Sequence, residues 1–196
     1  MAIALVSSGV GNQSATSSAV TLNTVGANLL VASVAMYESK SGFTLTDSQG
    51  NTWTALTERH STGTSRPQVQ QFYCLNPTTK ASHTITAAAT DLYGTVYVHA
   101  FSGVDAYNAE NGGNSLSDSS LATGTITPPS DGSVLIAVGA IGGTSTETGA
   151  GTYTGFTQAA FSAGVSIGLT VSYYIQTTAA AVGETFSGST VARAAS

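Results

Sequence analysis

The chain has 196 residues, among them 30 Thr, 26 Ser and 22 Gly, and its five Lys and Arg residues are outnumbered by ten Asp and Glu. The net charge of −5 and the scatter of the few basic residues argue against nucleic-acid binding, which needs clustered positive charge. No apolar run approaches the roughly 18–20 residues of a membrane helix, so we expect no membrane insertion.

Short runs of β-branched and aromatic residues recur between clusters of Gly, Asn, Asp and Ser, whereas helix signals are nearly absent. This pattern is typical of an all-β protein. The single Cys74 forbids an internal disulfide, so stability has to come from sheet packing. Strands are predicted at 2–6, 19–22, 29–37, 43–46, 52–57, 69–75, 83–88, 93–101, 124–127, 134–141, 156–160, 165–175, 185–186 and 190–194.

Segments 29–37 and 134–141 are apolar on both alternating faces. Side chains of successive strand residues point to opposite sides of a sheet, so both segments are predicted to be central strands that are covered on two sides. One cover would be the sandwich core. The other would be a loop or a neighbouring subunit.

Segments 43–47 and 52–57 alternate between apolar and polar residues around a Ser-Gln-Gly-Asn turn. This arrangement predicts a β-hairpin. Trp53 would then lie opposite the face that carries Phe43, so a role in core packing is favoured over stacking on a sugar.

The two halves of the chain also echo each other. Residues 72–86 align with 173–187, and residues 95–101 align with 190–196. Residues 72–86 and 173–187 each contain a strand, a polar turn and a second strand, and the recurrence indicates an internal duplication.

Two related halves that each contribute to both sheets describe a jelly roll. We therefore predict one two-sheet antiparallel β-sandwich of the jelly-roll type over residues 1–196. Its half-domains would be about 1–104 and 121–196. A Gly-, Asn- and Ser-rich loop at 105–120 would join them.

No constellation for catalysis is evident. The chain has no Gly-x-Ser-x-Gly nucleophile elbow, and its histidines are far apart, with His83 and His99 in strands where outward-facing structural roles are expected. Cys74 lies in an apolar strand and is expected to be buried and inert. Nothing in the sequence brings together the carboxylates that a glycosidase would need, of which the candidates are Glu58, Asp91, Asp105 and Glu184. We predict a non-enzymatic protein without a cofactor.

The candidate binding residues lie in Gly- and Asn-rich surroundings. No zinc or EF-hand spacing occurs, and a weak calcium site at Asp105, Glu110 and Asp118 competes with the simpler interpretation that these residues suit an exposed loop. Carbohydrate binding is a stronger option, because β-sandwiches present aromatic rings to sugars. Tyr107 and Tyr153 are the predicted carbohydrate-binding residues.

Several stretches together resemble a β-sandwich domain of phage virion proteins and of large bacterial surface or secreted proteins. The resemblance spans nearly the whole chain and implies the fold, since each stretch marks a strand and its turn. Members of that family serve as tail-fibre modules, head decorations and adhesin-like repeats, and no catalytic residues are implied. They usually close with a longer apolar strand than residues 190–196. The matching stretches are GANLLV (26–31), TDSQGNTWT (46–54), FYCLNP (72–77), AFSGV (100–104), PSDGSVL (129–135) and YIQTT (174–178).

Residues 1–6 carry no Lys or Arg and lead directly into Ser7, Ser8 and Gly9, unlike a secretory signal. With the resemblance, this predicts a structural protein of a phage virion surface: a capsid decoration, head fibre or spike subunit, made in the host cytoplasm and released by lysis. Expected partners are the major capsid protein and further copies of the chain, with host glycans as an option. The alternative is a carbohydrate-binding module or adhesin repeat of a secreted, extracellular bacterial protein.

Overall fold

The computed structural model describes residues 2–37, 42–61, 67–142, 156–162 and 167–196. Within these ranges, no helix is long and apolar enough to cross a membrane. The described elements are all strands: β1 (Ala4–Val10), β2 (Ser17–Leu22), β3 (Leu29–Tyr37), β4 (Thr44–Asp47), β5 (Thr54–Ala55), β6 (Arg59–His60), β7 (Pro67–Leu75), β8 (His83–Ala88), β9 (Thr95–Ser102), β10 (Gly113–Ala122), β11 (Ser133–Gly142), β12 (Thr157–Ser162), β13 (Ile167–Gln176) and β14 (Thr185–Ala195).

These strands form three antiparallel sheets. The central sheet has the order β1-β9-β3-β7-β5, with β6 also paired to β7; the front sheet has the order β2-β8-β4; and the back sheet has the order β10-β14-β11-β13-β12. One apolar cluster joins the central sheet to the front sheet, and two others join it to the back sheet. The predicted all-β antiparallel sandwich is confirmed, and the central sheet takes part in both layers of packing.

β3 is buried on both faces because it lies in the middle of the central sheet. Leu30 and Val34 belong to the cluster shared with the front sheet, whereas Leu29 and Val31 belong to a cluster shared with the back sheet. A strand that is covered on both sides has to be apolar on both faces. The predicted central strand is confirmed, and the back sheet of the same chain covers its second face, not a loop or a neighbouring subunit.

β11 has the same character in the back sheet. Val138 packs against the central sheet. On the opposite face Leu135 joins an outer cluster with Phe156 and Phe186. The second strand that the sequence predicts to be central is therefore also covered on two sides.

The predicted hairpin at 43–57 is wrong. β4 pairs with β8 in the front sheet, and β5 pairs with β7 in the central sheet. The segment between them is a corner held by Asp47, whose carboxylate accepts hydrogen bonds from the backbone N–H of Gln49 at 2.7 Å and of Asn51 at 3.3 Å. Gly50, with a φ of 70°, adopts the left-handed conformation that the corner requires. Alternating hydrophobicity predicts two half-buried segments correctly but does not reveal that they belong to different sheets.

The central and back sheets have the same strand order. When the front-sheet strands and β6 are left out and the remaining strands of each sheet are numbered along the chain, both sheets have the strand order 1-5-2-4-3. This is the topology that a duplication of one half would produce. The two sheets differ in how many residues of the last strand pair with the central strand. β9 pairs with β3 at seven positions, and β14 pairs with β11 at three.

The predicted joining loop at 105–120 is wrong from Gly113 onward, because β10 begins there. β10 pairs with β14, which is one strand from Thr185 to Ala195 where the sequence predicts two short ones. A Ser- and Asn-rich segment has low strand propensity, but pairing to a partner strand overrides it. The connection between β9 and β10 is therefore short, at residues 103–112.

Candidate functional site

A cleft with a volume of about 390 Å³ lies beside β11, where the central sheet, the back sheet and two loops meet. The loops are residues 103–111, which follow β9, and residues 123–132, which follow β10. The predicted strand at 124–127 lies in the second loop and is reduced to a single bridge between Ile126 and Val182. The volume is in the range of sites that bind small molecules or peptide segments.

Apolar side chains of the central sheet form one wall of the cleft. Leu29, Val31, Tyr73 and Leu75 line it, and all four belong to the cluster that joins the central and back sheets. The wall is apolar because this part of the central sheet faces the back sheet. The back sheet covers it incompletely, so these side chains also line the cleft.

One edge of β11 lies along the cleft and is only partly paired. β14 accompanies β11 at residues 139–141, and the pairing ends in two hydrogen bonds between Val138 and Ser196, of 2.8 and 2.9 Å. Along residues 133–137, this edge has no strand partner within the described part of the chain. A section of sheet edge is thus open inside the cleft.

Backbone groups of alternate residues face this open edge. Val138 bonds to Ser196 on this side, so the alternation of a strand directs the N–H and C=O groups of Ile136 and Val134 the same way, and the intervening residues bond to β13. The C=O of Ile136 accepts a hydrogen bond from Nε2 of Gln71 at 3.4 Å, which is long for such a bond. The buried Gln71 side chain therefore only partly satisfies the hydrogen-bonding capacity of the Ile136 carbonyl, which a paired strand would satisfy more fully.

Tyr107 also lines the cleft. Its ring stacks on Tyr73, with the centroids 5.1 Å apart and the planes inclined by 8°, and the residue stays 41% exposed. Burial raises the pKa of Tyr107, and the nearby Glu110 carboxylate raises it further. Glu110 anchors the loop, because its carboxylate accepts hydrogen bonds from the N–H of Thr57 at 3.0 Å and from the Thr57 hydroxyl. The loop thus presents an accessible aromatic ring.

Three of the predicted site residues come together in the cleft: Tyr107, Asp105 and Glu110. Tyr153 and the side chain of Asp118 lie outside the described residues. Among the side chains that the structure describes, no three His, Cys, Asp or Glu residues form a group that could hold a metal ion.

The backbone edge of β11 and the wall residue Tyr73 were not found by sequence reasoning. Tyr73 lies within an apolar strand, and its place in a cleft depends on which sheet lies opposite it. The sequence carries no local signal for either of them, because both depend on which strands pair and pack around the cleft.

A buried polar group lies at the corner between β4 and β5. Oγ1 of Thr24 is 3.0 Å from Nδ1 of His83, and Nε2 of His83 is 3.2 Å from Oδ1 of Asp47. Trp53 Nε1 donates to the other Asp47 oxygen at 2.8 Å. Burial disfavours the charged form of Asp47, but hydrogen bonds to its carboxylate outweigh burial and hold its pKa below the ordinary value. The order of groups resembles a catalytic relay, yet Thr24 is fully buried, so the group serves to hold the corner.

The expectation that His83 and His99 face outward is wrong, since both are fully buried. His99 lies against the rings of Tyr97, Phe101 and Tyr173, between the central and back sheets. Neither of its ring nitrogens has a hydrogen-bond partner among the described residues. Burial lowers the pKa of His99 to about 3, so the ring is neutral at neutral pH. β9 is covered on both faces and leaves no outward-facing position for His99, whereas His83 lies on the buried face of β8.

Two predicted core residues are confirmed. Cys74 is a buried free thiol in the cluster between the central and front sheets. Trp53 packs against the same cluster together with Phe43 and Leu45. It reaches the core from the corner, not across a hairpin.

No family model, curated protein or solved structure matches the chain. The resemblance to virion and surface β-sandwich domains stays a prediction.

Proposed function

We propose that the chain is a non-enzymatic structural protein of a phage virion surface, such as a capsid decoration, head fibre or spike subunit. Support comes from the sequence resemblance and from the antiparallel β-sandwich. The observation that carries the proposal is the cleft, whose apolar wall and stacked tyrosines suit the binding of another molecule.

Three acidic side chains, Glu58, Glu110 and Asp47, have structural partners. Glu110 accepts hydrogen bonds from Thr57, and Glu58 accepts one from Nε2 of Gln68 at 2.6 Å. Asp47 is bonded to the corner backbone. These contacts support a role in assembly or recognition in place of acid–base chemistry.

In this proposal the protein is made in the host cytoplasm, assembles on the particle and is released by lysis. Its partners are the major capsid protein and further copies of itself, since virion surface subunits occupy symmetry-related positions. The low charge of the chain suits extended protein contacts and does not favour a nucleic-acid partner.

The test is to purify particles from the lysate or culture that produces the protein. Mass spectrometry of gradient-purified particles should detect the chain, and electron cryo-microscopy should show matching density at symmetry-related surface positions. Recovery of the protein from the medium alone, with none in the particle fraction, would contradict the proposal.

A second candidate function is carbohydrate binding, either on a virion or in a secreted adhesin or binding module. It is favoured by Tyr107, which is 41% exposed, stacked on Tyr73 and accompanied in the cleft by Asp105, Asn108 and Asp131. Aromatic rings beside short polar side chains are typical of sugar sites. A glycan array probed with the purified protein tests this role without depending on particles.

A further inference from the structure

We propose that Asn111 is a site of spontaneous deamidation, at which the backbone nitrogen of Gly112 closes a succinimide ring on the Asn111 side chain and water reopens that ring to aspartate or isoaspartate. The reaction places a new carboxylate at the end of the 103–111 loop, which also carries Tyr107 and Glu110. This inference goes beyond the virion role and does not depend on it, because the reaction needs only the chain and water.

The first step is the residue that follows Asn111. Among the Asn residues of the chain, Asn111 alone precedes a glycine. Glycine has no Cβ, so its backbone nitrogen meets little steric hindrance when it approaches a neighbouring carbonyl carbon. The fold also requires glycine at this position, because a Cβ on Gly112 would lie 2.6 Å from the carbonyl oxygen of Ala195 and 2.7 Å from Nε of Arg59. The packing therefore keeps a reactive neighbour beside Asn111.

The second step is the geometry of the two reacting groups. The backbone N–H of Gly112 donates to Oδ1 of Asn111 at 2.8 Å, so the nitrogen already lies beside the side-chain amide. Gly112 precedes β10, which begins at Gly113, so this N–H is outside the strand ladder. A rotation about the Cβ–Cγ bond of Asn111 brings the amide carbon to the nitrogen. Because the two groups are held together in advance, ring closure costs little additional entropy.

The third step is the set of bonds that change. The Gly112 nitrogen loses its proton to water and attacks Cγ of Asn111, so an N–Cγ bond forms. The Cγ–Nδ2 bond then breaks, and Nδ2 takes up a proton from water and leaves as ammonia. Water next hydrolyses one of the two ring C–N bonds, which gives aspartate, or isoaspartate when the original main-chain bond breaks. Asn111 is exposed, so water reaches the site. Water is the co-reactant, and nothing is oxidised or reduced.

The fourth step is the charge beside the nitrogen. Nε of Arg59 lies next to Gly112, is buried, and has no hydrogen-bond partner among the described residues. A neighbouring positive charge favours the loss of a proton and stabilises the anion that results. The same charge stabilises the oxyanion on Cγ while the ring closes. Arg59 therefore promotes the reaction through its charge.

The modification changes how two loops are joined. Nδ2 of Asn111 donates to the carbonyl oxygen of Thr125 at 3.1 Å, which links the two loops that line the cleft. An ionised carboxylate has no hydrogen to donate, so this bond is lost in either product. Isoaspartate also lengthens the main chain by a methylene group just before β10. Asp105 and Asp131 already line the cleft, and the new carboxylate adds to their negative charge. The cleft of an aged protein therefore differs from that of a new one.

The experiment follows the purified full chain in mildly alkaline buffer by peptide mapping with mass spectrometry. The peptide that contains Asn111 should gain about 1 Da with time, which is the difference between an amide NH2 and a hydroxyl group, and should separate into two products. Asn108 and Asn114 are internal controls, since both are exposed but precede Ala and Ser. Both should stay intact while most of Asn111 is converted. Asp131, which also precedes glycine, isomerises without a change in mass and does not affect this measurement.

Three variants test the assigned residues. Asn111→Gln keeps the amide but has to close a larger ring, so the mass gain at this position should fall to the level of the internal controls. Arg59→Met keeps a long side chain without the charge and should slow the conversion several-fold. The matched control is Lys80→Met, which removes an exposed cation elsewhere and should leave the rate unchanged. If Arg59→Met does not fold, Asn111→Gln and the internal controls still test the site.

A fourth variant tests the consequence for the loops. Asn111→Asp reproduces one product, and amides of the 103–111 loop should exchange faster in it than in the wild type, because the bond between the loops is lost. Absence of a mass gain at Asn111, equal gains at Asn108 and Asn114, or a gain that persists in Asn111→Gln would overturn the proposal. An unchanged rate in Arg59→Met would overturn the role assigned to Arg59.

Discussion

The central and back sheets share a strand order but differ in how the last strand of each half meets its neighbour. In the central sheet β9 accompanies β3 at seven positions, and its residue Phe101 is fully buried. In the back sheet β14 accompanies β11 at three positions, and a cleft lies beside the rest of the edge. The same strand order thus accompanies a filled strand edge in one sheet and a cleft beside the corresponding strand in the other.

The largest expected loss of stability comes from truncating a side chain in the core between the central and back sheets. Phe101→Ala should cost about 3–5 kcal/mol of unfolding free energy, because it removes a fully buried aromatic ring. Val134→Ala at the open edge, where the side chain is only partly buried, should cost less than about 1.5 kcal/mol. Urea unfolding of both variants measures the difference. Equal costs would mean that the two regions are packed alike.

The corner that carries the chain from the front sheet to the central sheet is the next test. Asp47→Ala should cost about 3 kcal/mol, because it removes a buried acceptor of hydrogen bonds from Gln49, Asn51 and Trp53. The matched control is Asp91→Ala, a partly exposed carboxylate, which should change stability by less than about 0.5 kcal/mol. A small effect of Asp47→Ala in thermal or urea unfolding would contradict the role of this carboxylate as the corner's anchor.

His99 lies at the junction of the two sheets and makes stability depend on pH. Its pKa is about 3 in the fold and about 6.5 when unfolded, so between these values the unfolded state binds a proton that the folded state does not. Stability is therefore highest above pH 6.5 and falls by about 1.4 kcal/mol per pH unit as the pH drops through this window.

The His99→Phe variant should remove this slope, whereas His60→Gln should keep it. Two carboxyl groups also make stability depend on pH. Burial raises the pKa of Glu184, so just above its ordinary value of 4.5 this group lowers stability as the pH rises, which is opposite to the effect of His99. The pKa of Asp47 is lowered, so this group adds to the loss of stability below its ordinary value of 3.8. Urea unfolding between pH 5 and 6.5 is therefore compared between variants. An unchanged slope in His99→Phe would show that another group causes the acid sensitivity.

The smallest expected effect on stability is at the mouth of the open region. Tyr107→Ala removes one member of a stacked aromatic pair and should cost about 1 kcal/mol. Tyr93→Ala is a matched control, since both tyrosines are 41% exposed and Tyr93 lies outside the cleft. If the cleft binds glycans, Tyr107→Ala loses the signal on a glycan array and Tyr93→Ala keeps it. Loss in both variants would argue against a specific site at Tyr107.

Sequence reasoning anticipated individual residues of the candidate site but not that they line one cleft. The environment of Tyr107, rich in Asn and Gly, correctly indicates exposure. The cleft needs in addition Tyr73 from β7, the edge of β11 and the anchoring of Glu110 on Thr57, which come from distant parts of the chain. Such contacts leave no local pattern, because a sequence pattern relates each residue only to residues that are close to it along the chain.

The sequence by itself determined most of the segments that are strands and two that are covered on both faces, although β10 was predicted as part of a loop. β3 and β11 show this directly, because a strand buried on two sides must be apolar on both. Only the tertiary structure decided that β4 and β5 belong to different sheets, that His99 is buried and that β11 lies beside a cleft. The physical reason is that a hydrophobic pattern records how much of each residue is buried, whereas the identity of the partner strand depends on long-range pairing that the pattern does not encode.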